Sequence, residues 1–278
     1  MIVLGVPVIN QHKFTKQLID SLITTVTDHS NFKLVIVDNN SDTRYKAEDY
    51  DTPFKVEVLF NEQNEGYYYP LQQLYENHSS DTDLIGVVHN DIIFYEAGWN
   101  KRMGKAFAEM DTLGLVGLCG SNEVDILGGR GGGTMCCFNG TKGQPRSTGY
   151  CDSSLRPALV LDSLFMLFRR SIVPQLKIEK TIVPCHFMDR IWPLKVIDMG
   201  YRVGVMGVEI DHLGGVTECA EPKYHTEAIK WCERNGVDHQ GNPNHAIYKL
   251  GEKLYLDEYR EQRHIIPCRI SQNWAISR

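Results

Sequence analysis

Hydrophobic and polar positions alternate regularly along the first half of the chain. Short apolar runs recur there, as expected for strands that are buried on both faces of a sheet. Between the first two runs, residues 14–26 repeat an apolar side chain every four positions, which is the spacing of one helix face. The runs occupy residues 2–8, 34–37, 56–60 and 84–88, and a second helix is predicted at 67–78. This alternation predicts an α/β fold with a mostly parallel sheet.

The second half of the chain is less regular. The pattern predicts helices at 99–110 and 191–199, and strands at 113–119, 159–168 and 202–208. Residues 128–150 are rich in glycine and show little periodicity, and the apolar stretch 159–168 contains Asp162. From about residue 221 the chain is polar and predicts two helices joined by a loop near 235–243. We therefore expect a sheet domain followed by a helical extension.

The composition is that of an ordinary globular protein. Of its 278 residues, 42% are hydrophobic and 23% are charged, enough to bury one substantial core. The formal net charge of -6 argues against a protein that coats nucleic acid by electrostatic attraction alone. Eight scattered cysteines without a C-x-x-C pair predict reduced, mostly buried thiols rather than a zinc site. Without a secretory leader or an apolar run long enough for a bilayer, we expect a cytoplasmic protein with no transmembrane segment.

Polar residues follow each apolar run of the first half. They are Asn10, Asp38 with Asn39, Asn64 with Gly66, and the sequence His89-Asn90-Asp91. Ligands bind α/β sheets beyond the carboxyl ends of the strands, so we expect these residues to converge on one edge. A single Asp or Asn after a strand is usually a turn residue. Four such sets in series are harder to explain by turns alone, and they predict a binding site.

Short motifs follow one another along the chain at residues 6–10 (VPVIN), 35–41 (VIVDNNS), 61–66 (NEQNEG), 88–92 (VHNDI), 165–170 (FMLFRR), 186–189 (HFMD), 200–203 (GYRV) and 212–215 (HLGG). In this order and spacing they resemble the motifs of the glycosyltransferases of family 2, which have the GT-A fold. The stretch 88–92 stands at the place of that family's Asp-x-Asp motif, and 186–189 stands in the region of its catalytic carboxylate. The resemblance covers residues 2 to about 216.

This resemblance implies a GT-A fold (a nucleotide-diphospho-sugar transferase fold) over residues 1–216, with a mostly parallel central sheet flanked by helices. Residues 217–278 would form a helical C-terminal extension packed on that domain. The implied reaction is the metal-dependent, inverting transfer of a sugar from a nucleotide-diphosphate sugar to an acceptor hydroxyl. The implied cofactor is a divalent cation, Mn²⁺ or Mg²⁺, which neutralises the charge of the diphosphate leaving group.

The resemblance also implies roles for single residues. Asp38 would contact the nucleobase or ribose of the donor. The rest of the donor-binding set would be Pro7, Asn10, Asn39, Asn64, Gly66, His89 and Asn90. Asp91 and His212 would ligate the metal; the alternatives are a turn residue and a histidine that is hydrogen-bonded to the backbone. His89 replaces the first aspartate of the family's motif, which leaves open whether it ligates the metal.

Asp189 is the implied general base. Inverting transfer needs a carboxylate that takes the proton of the acceptor hydroxyl. The position also suits a helix N-cap, because Pro193 predicts a helix start close by.

Three further features have open roles. Asp162 either contacts a sugar or pairs with an arginine, because an unpaired buried carboxylate is costly. Arg169 and Arg170 either reach phosphate or brace the sheet edge. The glycine-rich residues 128–133 lack the ending of a phosphate loop and predict part of a mobile flap over the acceptor side.

The acceptor is the least determined partner. A glycan or a protein is the default acceptor. A hydroxymethylated DNA base is the alternative, for a viral or phage enzyme that acts in the host cytoplasm. In its favour, residues 130–146 are basic and free of acidic residues, and the C-terminal tail is rich in arginine. The basic residues concerned are Arg130, Lys142, Arg146, Arg260, Arg263 and Arg269.

Two other classes of function compete with a glycosyltransferase. A nucleotidyltransferase that makes nucleotide sugars is disfavoured, because residues 7–11 lack the glycine-rich basic loop that such enzymes need after the first strand. A non-catalytic nucleotide- or sugar-binding protein with the same fold is the stronger rival, because His89 replaces an aspartate of the motif.

Overall fold

The computed structural model describes residues 1–77, 80, 83–131, 135–136, 154–178, 186–214 and 221–259. Its strands are β1 (Ile2–Val8), β2 (Phe32–Asn39), β3 (Lys55–Asn61), β4 (Leu84–Val88), β5 (Ile92–Phe94), β6 (Leu113–Gly117), β7 (Cys119–Ser121), β8 (Glu123–Val124), β9 (Arg130–Gly131), β10 (Met135–Cys136), β11 (Leu155–Pro157), β12 (Val160–Leu161), β13 (Phe165–Arg169), β14 (Arg202–Met206) and β15 (Ile210–His212). Its α-helices are α1 (His12–Thr25), α2 (Tyr69–Asn77), α3 (Trp99–Glu109), α4 (Met188–Asp198), α5 (Pro222–Arg234) and α6 (Pro243–Tyr259). Short 3₁₀ segments occupy His29–Asn31, Ala47–Asp49 and Arg170–Leu176.

An eight-stranded sheet runs through the centre, in the order β11-β14-β6-β13-β4-β1-β2-β3. The strands β3, β2, β1 and β4 are parallel, and β14 is parallel to β6. Between these two groups, β13 is antiparallel to both of its neighbours, and β11 is antiparallel to β14. The apolar runs of the first half form β1, β2 and β4, which are buried on both faces, and the edge strand β3, which is partly buried. The α/β fold with a mostly parallel sheet is thus confirmed.

The register brings the carboxyl ends of the parallel strands to one edge. Val8 of β1 pairs with Asp38 of β2, and Asn39 pairs with Asn61 of β3. β4 ends at Val88, beside β1, so the polar residues that follow these strands share that edge. Smaller sheets (β10-β7-β12, β15-β5 and β8-β9) complete the strand pairings.

An aromatic cluster supports the chain just after β4. Trp99, the first residue of α3, is fully buried and stacks on Phe94 of β5 with ring centroids 4.6 Å apart. The same indole meets Phe165 of β13 edge-on at 5.8 Å. Because this cluster packs under β5, it fixes the segment that directly follows Asp91.

Two strand predictions are corrected. The apolar stretch 159–168 is not one strand but two, β12 and β13, with Asp162 in the turn between them. The turn forms because the Asp162 carboxylate accepts a hydrogen bond from the Leu164 amide at 3.2 Å. The predicted strand 113–119 likewise divides, since β6 and β7 belong to different sheets.

The helix predicted at 191–199 begins earlier, at Met188. Its N-cap residue is Phe187, which has a left-handed backbone with a φ of 66°. Asp189 lies in the first turn of the helix. The prediction that Asp189 is itself the N-cap is therefore wrong. Pro193 lies inside α4 rather than in its first turn.

Arg169 and Arg170 brace the sheet, at the edge opposite the carboxyl ends of the parallel strands. Arg169 donates to the carbonyl oxygens of Leu113 and Phe107, at 3.1 and 2.9 Å. Arg170 donates to the Tyr75 carbonyl at 3.0 Å and lies over the Tyr75 ring. Of the two roles predicted for these arginines, the structure supports bracing.

The polar C-terminal region forms two helices, α5 and α6, as the pattern predicts. Both pack on the sheet domain through buried residues such as Trp231 and Tyr255. Cys119 and Cys232 are both buried. Within the described ranges, none of the helices has both the length and the apolar character needed to cross a membrane.

Candidate functional site

A cavity of about 370 Å³ opens at the carboxyl ends of β1, β2 and β4. Its walls come from nine separated parts of the chain, including both C-terminal helices. The lining residues are Pro7, Val8, Ile9, Asn39, Asn64, Gly66, Tyr67, His89, Asn90, Asp91, Arg130, Asp162, Ser163, His186, Phe187, Asp189, Arg190, Tyr224 and Tyr248. The set implied by the family resemblance is thus largely brought together, with three exceptions: Asn10, Asp38 and His212.

Asn10 and Asp38 hold the loops around the cavity rather than lining it. The Asp38 carboxylate is fully buried and accepts hydrogen bonds from the amides of Ser41, at 2.8 Å, and Tyr45, at 3.1 Å. The Asn10 side chain accepts from the Asp42 amide at 2.8 Å and donates to the carboxylate of Glu221 at 3.0 Å. Direct donor contact by Asp38 and Asn10 stays a prediction.

Asn39, Asn64 and Gly66 form a hydrogen-bonded wall after β2 and β3. The side-chain nitrogen of Asn39 donates to the Gly66 carbonyl at 3.0 Å, and the side-chain oxygen of Asn39 accepts from the Asn61 side chain at 2.9 Å. Asn64 accepts from the Gly66 amide at 2.9 Å. Gly66 has a φ of 80°, which a residue with a Cβ adopts only at a cost, so glycine allows this tight turn.

His89, Asp91 and His212 form a cluster with the geometry of a metal site. One nitrogen of each histidine and one Asp91 oxygen lie within 4.8 Å of one another. His212 Nε2 is 3.5 Å and His89 Nδ1 is 3.7 Å from Asp91 Oδ1. That oxygen is buried and accepts no hydrogen bond of normal length, as expected for an atom that faces a cation. Imidazole and carboxylate donors suit Mn²⁺ and similar divalent ions, so the residues fit such a metal.

Pairing of two short strands brings His212 to Asp91. In the antiparallel β5–β15 pair, Ile92 lies opposite His212. The Leu213 amide then donates to the Asp91 carbonyl at 3.2 Å, and the Gly214 amide donates to Asp91 Oδ2 at 3.0 Å. Burial would raise the pKa of the Asp91 carboxyl, but the nearby imidazoles of His212 and His89 outweigh it, so this pKa is lowered. Asp91 is held as an anion.

Asp189 lies on the other side of the cavity, in the first turn of α4. Its carboxylate is buried and accepts a hydrogen bond from Arg190 Nη1 at 2.5 Å. Arg190 is held in turn by the Gly128 carbonyl, to which its Nε donates at 3.1 Å. Burial raises the pKa of the Asp189 carboxyl above its ordinary value, and the Asp162 charge adds to this, although Arg190 and Arg130 oppose it. A carboxyl with a raised pKa in a cavity is suited to proton transfer.

Arg130 and Asp162 form an ion pair within the cavity, with Arg130 Nη1 2.6 Å from Asp162 Oδ2. Burial alone would raise the pKa of Asp162, but the guanidinium outweighs it and this pKa is lowered. The structure thus places Asp162 with an arginine, one of its two predicted roles, and also beside the cavity. Nearby, the Tyr67 hydroxyl donates to the Ser163 carbonyl at 2.6 Å. Burial raises the pKa of Tyr67, so its hydroxyl stays protonated.

Several lining residues were missed by sequence reasoning. Tyr67 directly follows the 61–66 motif, and its ring lies edge-on to His89 at 4.7 Å, so its position was a usable signal. Phe187 and Arg190 flank Asp189 and offered the same kind of signal. Tyr224 and Tyr248 lie on α5 and α6, where the sequence matched no motif. Of the flap predicted at 128–133, residues 132 and 133 lie outside the described residues, as do Lys142, Arg146 and the arginines of the tail.

Comparisons with known proteins agree with the fold. The profile of glycosyl transferase family 2 matches residues 4–173, more than half of the chain. No curated protein sequence matches it.

Solved structures share the fold at low sequence identity. Staphylococcus aureus TarS is 14% identical with a TM-score of 0.51, covering 84% of this chain and 39% of its own. GalNAc-T7 with UDP, GalNAc and Mn²⁺ is 10% identical with a TM-score of 0.60, covering 84% of this chain and 48% of its own. The mannosyltransferase PcManGT from Pyrobaculum calidifontis, with GDP-Man and Mn²⁺, is 13% identical with a TM-score of 0.52, covering 94% of this chain and 75% of its own. The chain spans less than half the length of the first two.

Proposed function

Because the chain belongs to glycosyl transferase family 2, we propose that it transfers a sugar from a nucleotide-diphosphate sugar to an acceptor hydroxyl in a metal-dependent, inverting reaction. The observation that carries this proposal is the composition of one cavity. It is lined by His89 and Asp91, two members of a His-Asp-His cluster suited to a divalent cation, and by a buried carboxylate with a raised pKa, Asp189. A transferase of this kind needs both groups, one beside the diphosphate and the other beside the acceptor.

Asp91 and His212 would hold the cation, with His89 as the third ligand. The family's motif has an aspartate at the place of His89, and the cluster supports histidine as its functional replacement. A bound Mn²⁺ or Mg²⁺ would neutralise the diphosphate as it leaves. Asp91 is the central ligand, because both imidazoles approach its Oδ1.

Asp189 would act as the general base. As the acceptor oxygen forms its bond to the anomeric carbon of the donor sugar, the bond from that carbon to the diphosphate oxygen breaks. The hydroxyl proton passes to the Asp189 carboxylate, and the electron pair of the broken bond leaves with the nucleoside diphosphate. Attack from the face opposite the leaving group inverts the anomeric configuration. Arg190 keeps Asp189 ionised and oriented between transfers.

The wall of Pro7, Asn39, Asn64 and Gly66 would bind the nucleotide, with Asn90 beside it. The acceptor would be a glycan or a protein, or a hydroxymethylated DNA base in a viral or phage setting. Of the basic residues that favour DNA, Arg130 alone lies among the described residues, and it is paired with Asp162. We place the reaction in the cytoplasm, where buried thiols such as Cys119 and Cys232 stay reduced.

Release of nucleoside diphosphate tests this function. Each nucleotide sugar is incubated with the protein, Mn²⁺ and one class of acceptor at a time. The acceptor classes are glycans, hydroxyl-bearing peptides and DNA that contains hydroxymethylated pyrimidines. We expect release with one donor and one acceptor class. Asp189→Asn should lower kcat by about 10²- to 10⁴-fold, because a general base contributes that much. Asp198→Asn, at the exposed end of the same helix, should keep wild-type turnover.

Near-normal turnover by a folded Asp189→Asn protein would show that the base is wrongly assigned. Nucleotide binding without release in the presence of every acceptor class would instead favour the non-catalytic binding protein.

A further inference from the structure

Helix α5 is anchored to the loop that follows β1. Glu221, its N-cap, accepts hydrogen bonds from Asn10 Nδ2 at 3.0 Å and from Gln11 Nε2 at 3.1 Å. Both of these loop residues have left-handed backbones, with φ of 52° and 59°. Such a strained turn persists only where the surrounding structure fixes it, and Glu221 supplies part of that fixation.

A second and a third contact extend this anchor along the strand ends. Lys223 Nζ lies 2.6 Å from Asp42 Oδ1, in the loop after β2. Further along α5, the buried Glu227 carboxylate lies 3.4 Å from the Asn64 amide, after β3, and is paired with Lys230 at 2.8 Å. α5 therefore crosses the loops that follow β1, β2 and β3, although it lies outside the segment 4–173 that matches the family.

Tyr224 lies midway between these anchors. It is three residues after Glu221 and three before Glu227, and residues at this spacing lie on the same helix face. Its side chain lines the cavity, as do Pro7, Val8 and Ile9 at the end of β1. Because Glu221 is anchored to Asn10 and Glu227 reaches the Asn64 amide, α5 is held beside the ends of β1 and β3.

The chemistry of this end of the cavity suits a flat, weakly polar ligand. Pro7, Val8 and Ile9 are apolar, and the side-chain oxygens of Asn39 and Asn64 already accept hydrogen bonds within the protein. The ionisable groups of the lining are engaged with one another, since His89 lies 3.7 Å from Asp91 and Arg130 lies 2.6 Å from Asp162. Of the parts of a nucleotide sugar, only the nucleobase is flat and aromatic.

We propose that α5 closes the nucleotide end of the cavity and that the Tyr224 ring stacks on the nucleobase of the donor. This rests on the proposed function, because it assumes a nucleotide-sugar donor. Stacking contacts the face of the base and tolerates any base. Selection among bases would therefore come from contacts between the edge of the base and other groups of the wall.

Calorimetric titration of the full chain with nucleoside diphosphates and with inorganic pyrophosphate, each with Mn²⁺, tests the proposal. Tyr224→Ala should weaken binding of the preferred nucleoside diphosphate by about 10- to 100-fold, the usual loss for a base-stacking aromatic. It should leave pyrophosphate binding unchanged, because pyrophosphate has no base. Tyr224→Phe should bind like the wild type. His225→Ala, the neighbouring exposed aromatic on α5, is the matched control and should have no effect.

Three outcomes separate the possibilities. Wild-type affinity of Tyr224→Ala for nucleoside diphosphates would overturn the stacking role. Equal loss of nucleotide and pyrophosphate binding would also overturn it, because Tyr224 would then support the fold rather than the base. If the wild-type protein bound pyrophosphate with Mn²⁺ but no nucleotide at all, the proposed function itself would fail.

Discussion

Asp189 is surrounded by two arginines and one other carboxylate. Arg190 donates to it, while Arg130 and Asp162 act on it across the cavity. Burial is the largest influence on the pKa of Asp189 and raises it, so this group titrates above the value of about 3.9 for a free aspartate. The raised pKa makes the Asp189 carboxylate a stronger base than a free aspartate.

The activity should therefore fall on the acid side of the pH profile as Asp189 becomes protonated. The midpoint of that fall should lie above the ordinary aspartate pKa. Arg190→Gln removes a positive charge that lowers this pKa, so the acid limb of kcat/KM should move to higher pH. Arg190→Lys keeps the charge and should move the limb less. If the acid limb of kcat/KM stayed at the same pH in both variants, a group other than Asp189 would control the pH dependence.

Single residues also show where sequence reasoning stops. The resemblance led to Asp91, His212 and Asp189, and the structure places all three at the cavity or in the His-Asp-His cluster beside it. The resemblance could not show that the Asp38 carboxylate accepts hydrogen bonds from two backbone amides instead of lining the cavity. A polar residue after a strand has the same sequence pattern whether it holds a loop or faces a ligand.

At the scale of elements, the parallel strands were predictable because continuous apolar runs are typical of strands buried on both faces. The pairing of β5 with β15 was not predictable, since both strands are three residues long and lie far apart in the chain. Yet this pairing delivers His212 to Asp91. Short strands carry too few residues to show a pattern, and tertiary contacts decide them.

Close packing of β4 against β13 gives a prediction about stability. A Cβ added at Gly86 would lie 2.4 Å from the Met166 carbonyl oxygen, so Gly86→Ala must separate two central strands. We expect it to lower the free energy of unfolding by roughly 1–3 kcal/mol. Gly104→Ala, within α3, meets nothing within 4 Å and should raise it by about 0.5–1 kcal/mol through helix propensity. Urea unfolding measures both, and a stable Gly86→Ala protein would contradict the strand packing.

At the scale of the whole molecule, the cavity is assembled from the strand ends of the family segment and from the two C-terminal helices. The strand ends were predictable from the order of apolar runs and polar residues. The contribution of α5 and α6 was not, because their polar sequence matches no motif and only their docking shows what they cover. If the account is right, the molecule binds a nucleotide and a cation together in this one cavity.

A thermal-shift measurement with nucleotide sugars, with and without Mn²⁺, tests that central claim most directly. A ligand that binds only the native state raises the melting temperature. The account predicts a rise with one nucleotide sugar that Mn²⁺ enlarges. Asp91→Asn should remove the Mn²⁺ effect, and Asp20→Asn, an exposed aspartate on α1, should retain it. The absence of any shift with every donor, with Mn²⁺ present, would contradict the account.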